Sequence, residues 1–252
     1  MTTAIILGAG RGERLGRYTR NLPKVLVRVS GLSLLDWHVA ALHACNVRNI
    51  MVVAGYRAQM IPKRNVSVIR NADWESSGPV ASLMAAKQAL LHERFLVVYG
   101  DCPHHPDNLQ RVLSHDADVA VGGDRDWLNL WSCRSGDPLG DAETYVAHDG
   151  RLIEIGARAR RFEDIDAQFC GLVGFSPAGW RAALSQCAKP SPPFDMTGLL
   201  AAIVATGQYV ADVPIRGRWC EIDTAADLHL ARLRLCRRND WLHDWRVAKA
   251  DA

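Results

Sequence analysis

The chain has 252 residues, 48% of them hydrophobic, which suits one domain of ordinary size with a substantial buried core. Lysine and arginine number 30 against 27 acidic residues with no long basic run, so neither nucleic acid nor a membrane surface is indicated as a partner. The 7 cysteines are odd in number, scattered and never in a CxxC pair, a usage that reads as reduced thiols in a cytoplasmic protein and not as a disulfide framework or zinc knuckle.

In chain order, short β-branched runs at 3–7, 49–54, 66–69, 95–99 and 118–121 predict strands buried on both faces. Between them Leu35, Val39 and Leu42 predict a helix over 34–44, and similar patterns predict helices over 80–91 and 107–113. The alternation reads as an α/β fold: a three-layer, Rossmann-like, mostly parallel sheet. The second half differs. Residues 144–147, then His148-Asp149-Gly150, then 152–155 predict a β-hairpin, and 168–175 a further strand. A small mixed β-rich lobe over roughly 123–170 is expected inside a core of 1–122 and 171–236. The tail, 225–248, carries Leu228, Ala231, Leu235, Leu242 and Trp245 among Arg and Asp. It predicts one or two amphipathic surface helices, able to dock on the chain's own core or on a second copy as a homodimer. The N-terminus shows no basic and then apolar leader pattern, and no apolar stretch is long enough to span a bilayer.

The stretch LGAGRGERLGRYTRNLPK, 7–24, follows the first apolar run. A dinucleotide fingerprint requires glycine where Glu13 stands, and a Walker A loop requires a Gly-Lys-Ser/Thr that is missing. What remains is a strand, a glycine-rich turn whose N–H groups can line an anion site, Arg11 and Arg14, and the pair Pro23-Lys24. Such a cradle suits a triphosphate.

Gly8-Ala9-Gly10-Arg11-Gly12-Glu13-Arg14-Leu15, then Thr19, Pro23-Lys24, Leu26 and Gly31, resembles the G-x-G-x-R-L…T…P-K-x-L…G signature of the sugar-phosphate nucleotidyltransferase superfamily, with one extra residue before Arg14. Tyr99-Gly100-Asp101 and Trp219-Cys220-Glu221-Ile222-Asp223-Thr224 continue the likeness, the latter resembling the phosphocholine and phosphonate cytidylyltransferase branch. The resemblance implies a GT-A-like nucleotidyltransferase in which Leu7, Gly8, Ala9, Gly10, Arg11 and Gly12 wrap a triphosphate. It implies that Lys24 and Arg14 work against phosphate charge, and that Asp101 and Asp223 hold Mg²⁺. It puts the nucleotide base on 71–83, with Asn71, Gly78, Pro79 and Ser82 as contacts, and favours CTP. The implied reaction sends a phosphate or phosphonate oxygen against the α-phosphorus with pyrophosphate leaving, which needs charge and orientation more than a strong base.

Aromatic faces and carboxylates recognise an ammonium head. Trp127, Trp131, Asp195 and Glu221, with Asp124 and Asp126 nearby in sequence, are candidate walls for a phosphocholine or aminoethylphosphonate type of acceptor. Arg125, Arg134 and Arg158 suit instead a hydroxylated or carboxylated phosphonate. A sugar-1-phosphate nucleotidyltransferase is the alternative within the fold, and a non-catalytic nucleotide-sensing subunit the alternative outside it. Locally, Asp223 or Thr224 is expected to cap the helix beginning at 225. Glu13 reads as solvent-facing. Cys102, His104, His105 and Asp107, interrupted by prolines, form a poor tetrahedral set for zinc and read as a turn.

Overall fold

The computed structural model describes residues 2–134, 137–236 and 241–247. Its strands are β1 (Thr3–Gly8), a small ladder of β2 (Arg28–Val29) and β3 (Leu32–Ser33), β4 (Asn49–Ala54), β5 (Ser67–Arg70), β6 (Phe95–Tyr99), β7 (Val119–Asp124), β8 (Glu143–His148), β9 (Arg151–Arg158), β10 (Gln168–Phe175) and β11 (Ala211–Ile215). The helices are α1 (Leu34–Ala44), α2 (Pro79–Ala85), α3 (Pro106–Leu113), the short α4 (Trp127–Trp131) and α5 (Pro138–Asp141), α6 (Pro177–Cys187), α7 (Met196–Val204) and α8 (Ala225–Cys236).

Ala4 and Ile6 of β1 join one apolar cluster and Ile5 the other, all three fully buried, so layers must cover both faces of the strand. Each isoleucine contributes roughly 1.5–3 kcal/mol by that burial. Apart from β2 and β3, the strands form one 9-stranded sheet in the order β5-β4-β1-β6-β10-β7-β11-β9-β8. The run from β5 to β6 is parallel, β10 lies antiparallel between β6 and β7, and β11 runs parallel to β7. The expected Rossmann-like α/β sheet is therefore present, widened by a mixed half. The chain passes from β1 to β4 on one side and later returns as β6 on the other. Strand order reverses between β1 and β6, and the crevice beyond their C-terminal ends is where open α/β sheets take ligands.

Local chemistry fixes the supports of that crevice. Ser33 and Asp36 form a capping box that starts α1, and His38 of α1 donates from Nε2 to the Gly100 carbonyl at 3.1 Å, beneath the end of β6. Asp149 and Gly150, with φ of 49° and 73°, turn the β8–β9 hairpin as the Asp-Gly pair predicts.

Two expectations are modified. The helix predicted over 80–91 is α2 followed by a 3₁₀ turn at Lys87–Leu90. Val80 and Leu83 of α2, Ala86 at its end and Leu90 of the 3₁₀ turn are buried, so the apolar face continues across the change of helix type. In the tail, α8 is followed over 241–247 by non-helical chain, with 237–240 and 248 outside the described residues. Leu242 is exposed while His243 and Trp245 are buried, an alternation that helical spacing does not produce. This segment docks on its own chain: Arg218 N donates to the Leu242 carbonyl at 2.7 Å, His243 Nδ1 to the Trp219 carbonyl at 3.1 Å, and Trp245 meets Trp37 edge-on at 6.3 Å. Among the described residues no helix is long and apolar enough to cross a membrane.

Candidate active site

The loop after β1 is shaped by close approach. Gly12 has φ of +71°, and a Cβ there would lie 2.9 Å from Lys24 Cδ, so glycine lets the loop rest on the lysine stem. Thr19 Oγ1 donates to the Gly12 carbonyl at 2.7 Å and pins the turn. At the end of β6, a Cβ on Gly100 would meet Val25 Cγ1 at 2.6 Å and the Leu7 carbonyl at 2.7 Å. Glycine there lets β6 deliver Asp101 beside the loop.

Asp223 arrives from far along the chain. The segment after β11 runs antiparallel to 101–104, with Ile222 N donating to the Asp101 carbonyl at 2.9 Å, Cys220 N to the Pro103 carbonyl at 3.3 Å, and a bridge between His104 and Trp219. Thr224 caps α8: its Oγ1 accepts from Asp227 N at 3.1 Å, and Asp227 Oδ2 accepts from Thr224 N at 2.7 Å. The Asp223 carboxylate is thereby left to face the cavity.

Lys24 joins the two acids. Its buried Nζ donates to Asp101 Oδ2 at 2.6 Å and to Asp223 Oδ1 at 2.8 Å, while Arg14 Nη2 reaches Asp223 Oδ2 at 2.6 Å. Burial disfavours the lysine's charge, but Asp101 and Asp223 outweigh it and raise its pKa. Burial likewise works against ionised Asp101, and the Lys24 ammonium overrides it, holding that carboxyl below its ordinary range. Two convergent hard oxygen donors fit a Mg²⁺ ion, which keeps several waters and takes its remaining oxygens from a substrate. Among the described residues no three His, Cys, Asp or Glu side chains form an all-protein metal cage.

These groups line a cavity of about 430 Å³. Of the residues singled out in the sequence, Leu7, Gly8, Ala9, Gly10, Gly12, Arg14, Lys24, Gly78, Pro79, Ser82, Asp101 and Asp223 meet there. Arg11 does not: its guanidinium pairs with Glu13 at 3.2 Å and lies over the Tyr56 ring. Asn71 stands behind the wall, with Nδ2 donating to Ser77 Oγ at 3.0 Å and Ser82 Oγ at 3.1 Å. Glu13 lines the rim while remaining exposed to solvent. Sequence reasoning missed Trp74 and Tyr99 as wall residues; Trp74 is held by Tyr56 at 5.4 Å, and its place in the 71–83 segment was its only signal.

A second cavity, of about 290 Å³, shares Pro79 and Tyr99 with the first. Asp141, Glu143, Asp195 and Glu221 line it, with Trp131, Phe169 and Trp219 as further aromatic walls and Thr197 and Gln168 as neutral polar groups. Among the described residues no lysine or arginine lines it. Burial raises Glu143, opposed by a hydrogen bond from Thr197 and helped by the charges of Asp195 and Asp141. Burial also pushes Glu221 up to about 7, against Arg134 and in concert with Asp101 and Asp223. Trp131, Asp195 and Glu221 thus meet in this cavity, while Trp127 lies behind it, buried between Trp131 and Phe162. Sequence reasoning did not single out Glu143, Phe169 or Thr197 as part of a site. Of the arginines, Arg125 pairs with Asp212 and Arg158 is exposed on a different surface, while Arg134 reaches two carboxylates of this cavity, Glu221 and, at 3.8 Å, Asp141, together with Asp227. His104 donates from Nε2 to the Cys170 carbonyl at 2.9 Å and stacks on Trp219, while His105 accepts from Asp107 N at the start of α3.

Residues 4–162 match the MobA-like NTP transferase domain. The chain belongs to that family. The transferase is 29% identical over 247 residues to the CTP:phosphoglutamine cytidylyltransferase of Campylobacter jejuni, spanning 90% of this chain and 98% of that one. It shares its fold with the inositol-1-phosphate CTP transferase of T. maritima, at TM-score 0.70 and 21% identity over 92% of this chain and 96% of that one. It also shares it with the CTP:phosphocholine cytidylyltransferase of Streptococcus pneumoniae, at TM-score 0.69 and 18% identity over 93% and 99%. The transferase is an enzyme of the nucleotidyltransferase class, as the glycine-arginine loop and its partner motifs led one to expect.

Proposed function

We propose that the transferase couples CTP to a small phosphorylated or phosphonate acceptor that carries an ammonium group, releasing pyrophosphate. The observation that carries this proposal is the junction of two cavities at Pro79 and Tyr99: one ringed by the glycine loop, Lys24 and Arg14, the other by aromatic faces and four carboxylates, of which Arg134 engages Glu221 and Asp141 and leaves Glu143 and Asp195 without a cation among the described residues. Glu143 and Asp195, which pair with no cation among the described residues, favour a cationic guest, and aromatic faces add to its binding. The CTP preference draws its support from the Campylobacter relative.

In this reading the loop N–H groups of residues 8–12 cradle the triphosphate, and Trp74, Ser77 and Ser82 border the base. The acceptor's head sits among Glu143, Asp195 and Glu221, which turns its phosphate oxygen toward the first cavity. That oxygen forms a bond to the α-phosphorus as the bond to the β-phosphate oxygen breaks, and the electron pair leaves with pyrophosphate. Arg14 and the Lys24 ammonium neutralise the departing charge. Asp101 and Asp223 are the residues that would hold Mg²⁺, which when bound supplies further neutralisation of the α-phosphate and the leaving group. The nucleophile is already anionic near neutral pH, so the chain needs no strong base. The acceptor side is contributed by the 123–170 segment together with Asp195, Thr197, Trp219 and Glu221.

The test is pyrophosphate release with each of four NTPs against phosphocholine, 2-aminoethylphosphonate, hydroxyethylphosphonate and glucose-1-phosphate. Release confined to CTP with the ammonium-bearing acceptors is expected. Release with glucose-1-phosphate places the enzyme among sugar-phosphate transferases, and nucleotide binding with silence throughout indicates a sensing subunit.

A further inference from the structure

We propose that Lys24 closes the two-carboxylate site to divalent cations until a nucleotide draws its ammonium away, so that metal and nucleotide load together. This rests on the assignment of Asp101 and Asp223 as the metal-holding pair. The inner oxygens of both acids are held by one Nζ, at 2.6 and 2.8 Å, and the outer oxygen of Asp223 is held by Arg14 at 2.6 Å. Two carboxylates and two cations leave the site without net charge, so an added dication meets like charge at contact distance and gains little in return. The lysine side chain is only 11% exposed, and its stem presses on Gly12, where a Cβ would lie 2.9 Å from Cδ.

The cavity that the glycine loop shares with Lys24 gives the ammonium a polar way out. A triphosphate in that cradle offers it replacement oxygens, and its departure exposes the two carboxylate oxygens together. Each ligand thereby removes an obstacle to the other, and by linkage the two affinities rise by the same factor. Arg14, with its side chain 71% exposed, is free to follow the phosphates without a burial cost.

The experiment measures Mn²⁺ binding by the loss of the free-ion EPR signal, with melting temperature in parallel, on the whole chain without nucleotide. Wild type is expected to bind at least tenfold more weakly than Lys24→Met and to show no melting shift with Mn²⁺, whereas Lys24→Met gains one. Lys24→Arg, which keeps the charge, is expected to behave as wild type. Asp101→Asn added to Lys24→Met is expected to abolish the binding, which ties it to the carboxylate pair. Wild type and Lys24→Met binding Mn²⁺ equally would overturn the proposal, as would a melting shift of wild type with Mn²⁺ alone, a result that needs no variant to fold. If wild type with a non-hydrolysable CTP analogue that it binds takes up no Mn²⁺ beyond what the analogue sequesters without protein, the metal assignment itself is wrong, and the proposal goes with it.

Discussion

The indole Nε1 of Trp219 donates to Asp124 Oδ2 at 2.7 Å, joining the C-terminal end of β7 to the segment that delivers Glu221 and Asp223. Asp124 is fully buried, and its other oxygen accepts from the backbone N–H groups of Asp126 and Gly217, each at 3.0 Å. A buried carboxylate with three donors leaves all three unpaired when it is removed. Asp124→Ala is expected to cost about 3–5 kcal/mol, and Trp219→Phe about 1–2 kcal/mol, by urea denaturation. A loss below about 0.5 kcal/mol for Asp124→Ala would show that this junction does not anchor the segment.

Asp101→Asn and Asp223→Asn remove charge in the first cavity with little change in shape. Each is expected to lower kcat by about 10²–10³, the loss typical of one group aimed at transition-state charge. Circular dichroism should report an intact fold. Full turnover by either variant would remove that residue from the proposed site.

Asp195 has two jobs that a conservative change separates. Its Oδ1 accepts from Gly198 N at 2.8 Å as the cap of α7, and its carboxylate lines the second cavity, proposed to hold the acceptor. Asparagine caps about as well as aspartate. Asp195→Asn, like Glu143→Gln, is therefore expected to raise KM for a cationic acceptor by roughly tenfold, the equivalent of about 1.4 kcal/mol, while KM for CTP and the melting temperature stay near wild type. An equal rise in both KM values would instead indicate a general distortion.

Acid stability follows from two buried imidazoles. Burial lowers His38 to about 4 and His104 to about 3 from an ordinary 6.5, and each ring keeps only one hydrogen-bonded carbonyl. Below pH 6.5 the unfolded chain takes up protons at both sites and the folded chain does not, so stability is full above that pH and falls as the pH drops toward 4. At ~1.4 kcal/mol per unit of difference, several kcal/mol are lost. Urea midpoints at pH 7, 6 and 5 should decline in wild type and decline less in His104→Gln. A flat profile would mean that the imidazoles take up protons in the fold as readily as in the unfolded chain.

Much of this architecture was legible because it depends on local sequence. Strand β4 and helix α1 fall on their expected bounds, since a β-branched run and the apolar spacing of Leu35, Val39 and Leu42 carry their own signals. The loop after β1 was legible because its glycines and Lys24 have to approach one another closely. The second cavity was harder to read, because Glu143, Phe169, Thr197 and Trp219 come from four separate elements brought together by the mixed half of the sheet, and no spacing links them. Trp127 shows the converse: an aromatic close in sequence to a wall residue, α4 turning it toward Phe162 and away from the cavity.

The most direct measurement is a ³¹P NMR competition with CTP, Mg²⁺ and equal amounts of phosphocholine, 2-aminoethylphosphonate, phosphoglutamine and glucose-1-phosphate. The expected result is inorganic pyrophosphate together with a new coupled pair of phosphorus signals from one ammonium-bearing acceptor joined to CMP. Glucose-1-phosphate as the preferred acceptor, or no new phosphorus pair, would contradict it.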